Sequence, residues 1–371
     1  MGLLDSFTGS SGTAPPYRPA FKIAPGASGG GGGLMGAVSG AVSGAVSGAV
    51  SSVLGGAQQD PWADAVQSVH TDLRLAPGVD GCTIEVASSG LPDVALGDKL
   101  TLQLGYADEL TPVYSGQVSR LQACHDQTWR IDLDNGAQTL ARLRQNSSFE
   151  QQSLSDVVNK LLSSAGVSAG TVSRGADFPF LVIDDRQSVW AWLAELAQAC
   201  GACVWLDADG AVQVKSGGGP AAATYTYGQD ILSFQFDARV PVAAQITVVG
   251  EGASGSKGSD AWSWLSKKRD PIQTQEGRGE ARQVSQAVLR NMAALQGSAQ
   301  GWEQRLSASG ERITLRVAGT TAVTLAATFA VSGCPQGRGD GNYLATRIQH
   351  RYDKQGGFVT VLEGQRAGGV A

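Results

Sequence analysis

Several residue groups in this sequence have types and spacings that can do chemistry. Cys200-Gly-Ala-Cys203 has the two-residue gap of a redox pair or of half a zinc site. Asp184-Asp185 and Asp207-Ala-Asp209-Gly210 set carboxylates close together, as calcium binding or glycoside hydrolysis requires. His70, His125 and His350 are the only side chains whose ordinary pKa suits a general base near neutrality. Gly337-Arg-Gly-Asp-Gly-Asn342 is glycine-rich enough to suggest a phosphate loop.

The elements that must position these residues favour plainer roles. The cysteine pair follows the apolar helical run Val189 to Ala199 and leads into Val204-Trp205-Leu206, so it reads as two small buried apolar residues, with a redox pair as the alternative. No second CxxC or nearby histidine completes a zinc site. Asp184-Asp185 stands where an N-cap for the next helix belongs, and Asp207 to Gly210 is a hairpin turn. His350 falls in an alternating strand, and His125-Asp126 at a turn with no GxSxG nucleophile motif anywhere in the chain. Gly337 to Asn342 lacks a following GK[ST] and reads as a loop between strands, its Arg338-Gly339-Asp340 triplet as a chance occurrence. The expectation is a protein that is not an enzyme, with no catalytic, cofactor-binding or metal-binding residues and no cofactor.

Composition points the same way. A chain of 371 residues has room for two or three domains, and 50 glycines with only 16 % charged residues suit a β-rich protein that lays much of its surface against other subunits. The net charge of −5 argues against nucleic-acid specificity, since duplex binding needs clustered Lys and Arg. The longest basic run, Lys267-Lys268-Arg269, reads as a solvated loop. Five cysteines, an odd number without dense spacing, suit a reducing compartment, and no secretory signal opens the chain.

Hydrophobic periodicity divides the chain into four parts. Residues 1–58 form an extension, rich in Pro and Gly at first and then repeating Gly-Ala-Val-Ser, which puts Gly36, Gly40, Gly44 and Gly48 on one helical stripe and Val38, Val42, Val46 and Val50 on another. These eight residues are the candidate assembly contact. Residues 34–54 are uncharged, and three readings stay open: a small-residue helix packed in an assembly, a flexible linker, or membrane contact. Residues 59–144 alternate with period two at Cys82, Ile84 and Val86, at Leu100, Leu102 and Leu104, and at Ile131 and Leu133, which predicts antiparallel strands with turns at Pro77-Gly78, Gly97-Asp98 and Asn135-Gly136.

Residues 145–216 switch to helical spacing. Ser153 caps a helix with Leu154, Val157, Val158, Leu161 and Leu162 on its apolar face and Gly166 as its stop. A second helix begins near Ser188 and carries Val189, Trp192, Leu193, Leu196 and Cys200. Residues 217–371 return to period two at Ile231 to Phe236, Ala244 to Val249, Ile313 to Val317 and Leu344 to Tyr352. They are interrupted at about 251–306 by a polar insertion with a helix around Val284, Val288, Met292 and Leu295. The expected fold class is α+β, mainly β: two antiparallel β-barrels flanking a small α+β insert.

Four phrases in that order carry a resemblance. They are Gly105-Tyr-Ala-Asp-Glu-Leu-Thr-Pro-Val-Tyr-Ser-Gly-Gln-Val118, Ser153-Leu-Ser-Asp-Val-Val158 with Gly166, Val189-Trp-Ala-Trp-Leu-Ala-Glu-Leu-Ala197 with Asp209-Gly210, and the closing run Tyr343 to Thr360. Together, over about residues 60–365, they resemble the phage late control protein D family, the baseplate hub proteins of contractile tails, related to the hub part of type VI spike proteins. The first 58 residues do not map onto that family. The resemblance implies tube-like barrels and a homotrimer whose six barrels adapt a hexameric tail tube to a trimeric spike. It further implies contacts with tube, spike, tape-measure and other baseplate subunits, assembly in the host cytoplasm, and residence in the tail baseplate or an equivalent injection particle. Two other readings predict different features: a tail-borne cell-wall hydrolase needs an acid/base pair in a cleft, and a membrane-inserting pore needs aromatic girdles on long strands.

Overall fold

The computed structural model describes residues 18–26, 60–107, 109–240, 245–250, 272–277, 281–285, 289, 292–308 and 310–367. The small-residue contact from Gly36 to Val50 and the basic run Lys267 to Arg269 lie outside the described residues.

Period-two segments become strands because each buries alternate side chains. The chain begins with β1 (Pro19–Pro25), a short helix α1 (Pro61–Ala65), β2 (Val66–Arg74), β3 (Gly81–Ala87), β4 (Lys99–Tyr106), β5 (Glu109–Ala123) and β6 (Thr128–Asp134). These six strands pair in the order β1-β4-β5-β6-β3-β2, each pair antiparallel. Cys82, Ile84 and Val86 of β3, Leu102 and Leu104 of β4, Tyr114 of β5 and Ile131 of β6 meet in one core, so the sheet wraps around its own apolar face.

A helical layer follows: α2 (Gly136–Arg142), β7 (Ser147–Ser153), α3 (Leu154–Ala165), β8 (Ala169–Val172), β9 (Asp177–Ile183), α4 (Val189–Ala199), β10 (Cys203–Leu206) and β11 (Val212–Lys215). Ser153 caps α3 reciprocally: its Oγ accepts from the Asp156 N–H at 3.2 Å while the Asp156 carboxylate accepts from the Ser153 N–H at 3.0 Å. Gly166 ends that helix at φ +65°, a left-handed conformation suited to glycine. Asn135-Gly136 is not the expected turn. Asn135 makes a second capping box with Gln138 and starts α2. Ser188, not Asp184 or Asp185, caps α4, and Trp190 is the buried tryptophan of that helix, its Nε1–H donating to the Gly78 carbonyl at 2.9 Å.

The last part holds β12 (Ala221–Thr226), β13 (Ile231–Ala238), β14 (Gln245–Gly250), β15 (Ile272–Gly277), β16 (Ala281–Ser285), α5 (Met292–Ala308), β17 (Glu311–Ala318), β18 (Thr328–Ser332), β19 (Gly341–Asp353) and β20 (Gly357–Arg366). Six of these strands, in the order β12-β18-β19-β20-β17-β13, surround a second β core of Leu315, Phe329, Tyr343, Ile348 and Leu362. The fold is thus mainly β with large antiparallel sheets.

Three expectations need correction. No closed barrel forms among the described residues: β19 pairs with β2, so both strand sets are halves of one twelve-stranded sheet that stays open at β1, β12 and β13. The strand near Ala244 to Val249 does not join the second set. It forms β14 of a separate three-stranded sheet, β15-β14-β16, whose Ile246 and Val248 pack with Leu295, Ala299 and Leu306 of α5 into the core of the helical layer. Val284, expected on a helix, sits in β16 paired with Val248, and the helix starts only at Met292. An alternating pattern says which face of a strand is buried; it does not say which core buries it.

Candidate functional site

The residues that suggested chemistry are not gathered into one site. His350 is buried in the β19–β20 ladder with its Nδ1 3.0 Å from the Thr360 hydroxyl. That hydroxyl donates to the Thr320 carbonyl at 2.9 Å, so the imidazole donates from Nδ1. Burial lowers the ring's pKa to about 4, so it is neutral at pH values well above that. His125 is exposed at the β5–β6 turn. Half-buried His70 has its pKa lowered first by burial and then by Arg351.

The carboxylates also have local partners. Asp184 holds Arg186 and accepts its N–H at 3.1 Å, and the Arg186 guanidinium keeps the Asp184 carboxyl below its ordinary range. Asp207 closes its hairpin by accepting from the N–H groups of Asp209 and Ala211 and from Gln213 Nε2. Cys200 and Cys203 are free thiols that burial pushes up in pKa, the opposite of what a nucleophile or redox cysteine needs. Among the described residues no three metal-ligating side chains cluster, and no helix is long and apolar enough to cross a membrane.

What the sheet leaves uncovered is an edge. β13 is hydrogen-bonded to β17 on one side and to no strand on the other among the described residues. Its register slips between Ile231 and Ser233, so two residues face one across the ladder, and Leu232 is pushed outward at the bulge, 61 % exposed. Tyr227 just before the strand and Val240 just after it are also exposed, at 44 % and 91 %. Three of the six large apolar side chains that the described residues expose therefore fall within 227–240, which marks this segment rather than the surface at large. Phe234 anchors the strand inward, and its ring meets Tyr227 edge-on at 5.4 Å. The loop Gly337–Asp340 closes the far end, where Phe236, Ala238, Glu311, Arg338 and Arg366 surround a cavity of about 440 Å³.

The opposite end of the sheet is guarded. β1 is bounded by Pro19 and Pro25, exposes Lys22, and leans on the β19–β20 tip through Phe21 and Tyr352, whose rings lie 4.9 Å apart. β13 has neither proline nor lysine. The sequence reading placed the assembly contact at Gly36 to Val50 and did not single out β13. The available signal was an apolar strand, Ile-Leu-Ser-Phe-Gln-Phe, without a guarding residue.

Residues 83–352 match the model of a family described as the Alg8 N-terminal domain, a span of well over half the chain. The chain belongs to that family. The match to the Alg8 N-terminal domain family begins inside β3 and ends inside β19, so it takes in the helical layer, β13 and most of both strand sets. It is this family, not the late control protein D family of the sequence resemblance, whose model matches. A comparison with the curated proteins finds no match.

Solved structures share the fold. The 43 kDa tail protein of prophage MuSo2 from Shewanella oneidensis is 14 % identical, with a TM-score of 0.62 over 81 % of this chain and 94 % of its own. A tail protein from Neisseria meningitidis MC58 is 15 % identical, with a TM-score of 0.61 over 81 % and 92 %. The E. coli c3393 protein, described as a component of the type VI secretion system similar to the T4 bacteriophage tail proteins gp27 and gp5, is 10 % identical with a TM-score of 0.54 over 82 % and 74 %. At such identities the likeness is one of fold.

Proposed function

We propose that this chain is a structural baseplate hub of a contractile phage tail or a related injection system, and not an enzyme. Three copies form a ring whose six strand modules match a hexameric tail tube on one side, while the ring's own threefold axis suits a trimeric spike on the other. This is the role implied by the likeness of its sequence to late control protein D. Its partners are the tube, spike and tape-measure proteins and other baseplate subunits, and its final place is the tail baseplate.

One observation carries the reading: a single polypeptide holds two six-stranded modules joined side by side through β2 and β19. Two similar modules per chain are what a threefold ring needs to imitate a sixfold one. The β13 edge, which no strand pairs among the described residues, supports it further, because an apolar strand edge is an aggregation hazard unless a neighbour covers it. Tail and type VI proteins among the fold neighbours are consistent with this role.

Native mass spectrometry of the full chain, alone and with its tube and spike partners, tests the proposal. A trimer, alone or on addition of the spike, is the expected result. A chain that stays monomeric with both partners present overturns it.

A further inference from the structure

The two strand sets repeat one arrangement, bulges included. β2 and β3 slip register between Val66 and Ser68, and β13 and β17 between Ile231 and Ser233. β5 and β6 slip between Val118 and Arg120, and β19 and β20 between Ala345 and Arg347. Laying bulge on bulge makes the β3–β6 pair Ile84–Ile131 correspond to Leu315–Leu362, and Cys82–Leu133 to Ile313–Gly364, both of which the β17–β20 ladder contains. Strands β2, β3, β5 and β6 therefore correspond to β13, β17, β19 and β20.

Within the chain, β2 of the first set lies against β19 of the second. The corresponding strands, β13 and β5, do not meet, and the side of each that such a junction would cover is bare among the described residues. β13 has no strand opposite β17, and the β4 ladder along β5 ends at Gln117, so Ser119 to Ala123 have no strand opposite β6.

The charges repeat with the strands. At the β2–β19 junction Arg74 pairs with Asp72 at 2.6 Å and Arg347 with Glu363 at 2.8 Å, and Arg347 joins the two pairs by also gripping Asp72. In the corresponding places β13 carries Arg239 paired with Asp237 at 2.6 Å, and β5 carries Arg120, 3.8 Å from Asp132 of β6. Each bare edge thus holds one half of the cluster. Arg120 is 60 % exposed where Arg347 is 27 %, which leaves its guanidinium accessible to a second carboxylate.

Direction and backbone polarity also agree. The eight strands from β5 to β13 alternate at every step, so the two ends run oppositely, and copies rotated about an axis along the strands meet antiparallel. Arg239 donates its N–H to Gly310 on the β17 side, and Cys124 to Thr128 on the β6 side. By alternation Phe236 and Ala238 of β13, and Leu121 and Ala123 of β5, turn their backbone groups to the bare sides. The register of the internal junction pairs Ala238 with Leu121 and Phe236 with Ala123.

We infer that β13 docks antiparallel on the Ser119–Ala123 edge of a second copy of this chain, repeating the β2–β19 junction and setting Arg120 of the second copy against Asp237. The inference rests on the hub reading for the number of copies that close the ring.

The same register puts Gln235 opposite the native Cys124 of the second copy, a non-hydrogen-bonded pair whose Cα atoms stand about 4.5 Å apart, close enough for a disulfide. The full chain with Gln235→Cys is oxidised with copper phenanthroline, alone and with its tube and spike partners, and run on a non-reducing gel. Covalent oligomers up to a trimer are expected, and none when Cys124→Ser is added. Arg120→Glu, on the exposed edge, is expected to raise the concentration for half-association about tenfold or more in native mass spectrometry. A trimer that forms without the Cys124 cross-link, or forms equally well with Arg120→Glu, overturns the inference and leaves the hub reading standing. Cross-linked rings of another size support the inference and overturn the threefold hub. A chain that stays monomeric with both partners present overturns both.

Discussion

Arg347 grips Asp72 with two parallel hydrogen bonds of 2.7 Å, from Nε and Nη2, although 275 positions separate the two residues in the chain. Its third nitrogen donates to Glu363 at 2.8 Å, and Arg74 adds a 2.6 Å contact to the same Asp72. The cluster lies on the β2–β19 junction, the ladder that joins the two strand sets among the described residues. Arg347 and Arg74 hold the Asp72 carboxyl down at a pKa of about 2 against the opposing effect of burial.

Replacing Arg347 by Ala leaves Glu363 without its cation and Asp72 with Arg74 alone. The groups keep some contact with water, so a loss of about 1–3 kcal/mol is expected, less than for a fully buried pair. Arg347→Lys keeps the charge but not the fork and recovers only part of it. Urea unfolding monitored by tryptophan fluorescence measures both.

Asp80 and His350 set opposite pH dependences. Asp80 is buried between the Arg74 N–H and the Asn135 side-chain amide, and burial raises its pKa to about 6. The native chain therefore holds this proton more tightly than the unfolded chain, and the stability it contributes, whole below about pH 4, is lost as the pH rises towards 6. His350 is lowered to about 4, so its contribution is whole above about pH 6.5 and is lost as the pH falls towards 4. Each displacement corresponds to about 3 kcal/mol. In the intact protein the two largely offset between pH 4 and 6. Asp80→Asn is expected to leave a stability that climbs with pH across this window, and His350→Gln one that falls, both measurable by urea titration at several pH values.

Two glycines of α5 have opposite expectations. A Cβ on Gly301 would stand 2.5 Å from the Cα of Gly201, backbone against backbone where α5 crosses the turn after α4. Gly301→Ala should cost about 1–3 kcal/mol by forcing the helices apart. Gly297 has nothing within 4 Å of such a Cβ, and Gly297→Ala should stabilise by about 0.5–1 kcal/mol through helix propensity alone. Thermal denaturation of the two variants separates them by sign.

Leu232→Lys places a charge on the open edge of β13. Because Leu232 is mostly solvent-exposed, the folded chain should change in stability by no more than about 0.5 kcal/mol, while self-association in sedimentation velocity should weaken. Association equal to that of the unchanged protein would mean that β13 is not the edge neighbours cover.

The thiols report on burial. Cys82 is fully enclosed in the first core, and burial raises the pKa of Cys200 and Cys203 as well as its own. At pH 8 Cys82 should react with an aromatic disulfide reagent only at the rate of opening, the partly buried Cys200 and Cys203 more slowly than a free thiol because their pKa values are raised, and all five cysteines should react at once in denaturant.

Local signals settled much of this protein from sequence. The alternation Cys82, Ile84, Val86 fixes which face of β3 is buried, and Ser153 with Asp156 fixes where α3 begins, because a pleat and a cap each involve residues only two or three positions apart. Tertiary structure decided the partners. The same alternating pattern in β14 and β19 sends one strand to the core of the helical layer and the other across to β2, and the choice rests on apolar surfaces and ion pairs contributed from distant parts of the chain, Asp72 with Arg347 among them. Whether strands close into a barrel or run on into a neighbouring sheet, and which edge is then left bare, follows from that long-range pairing, and periodicity carries no record of it.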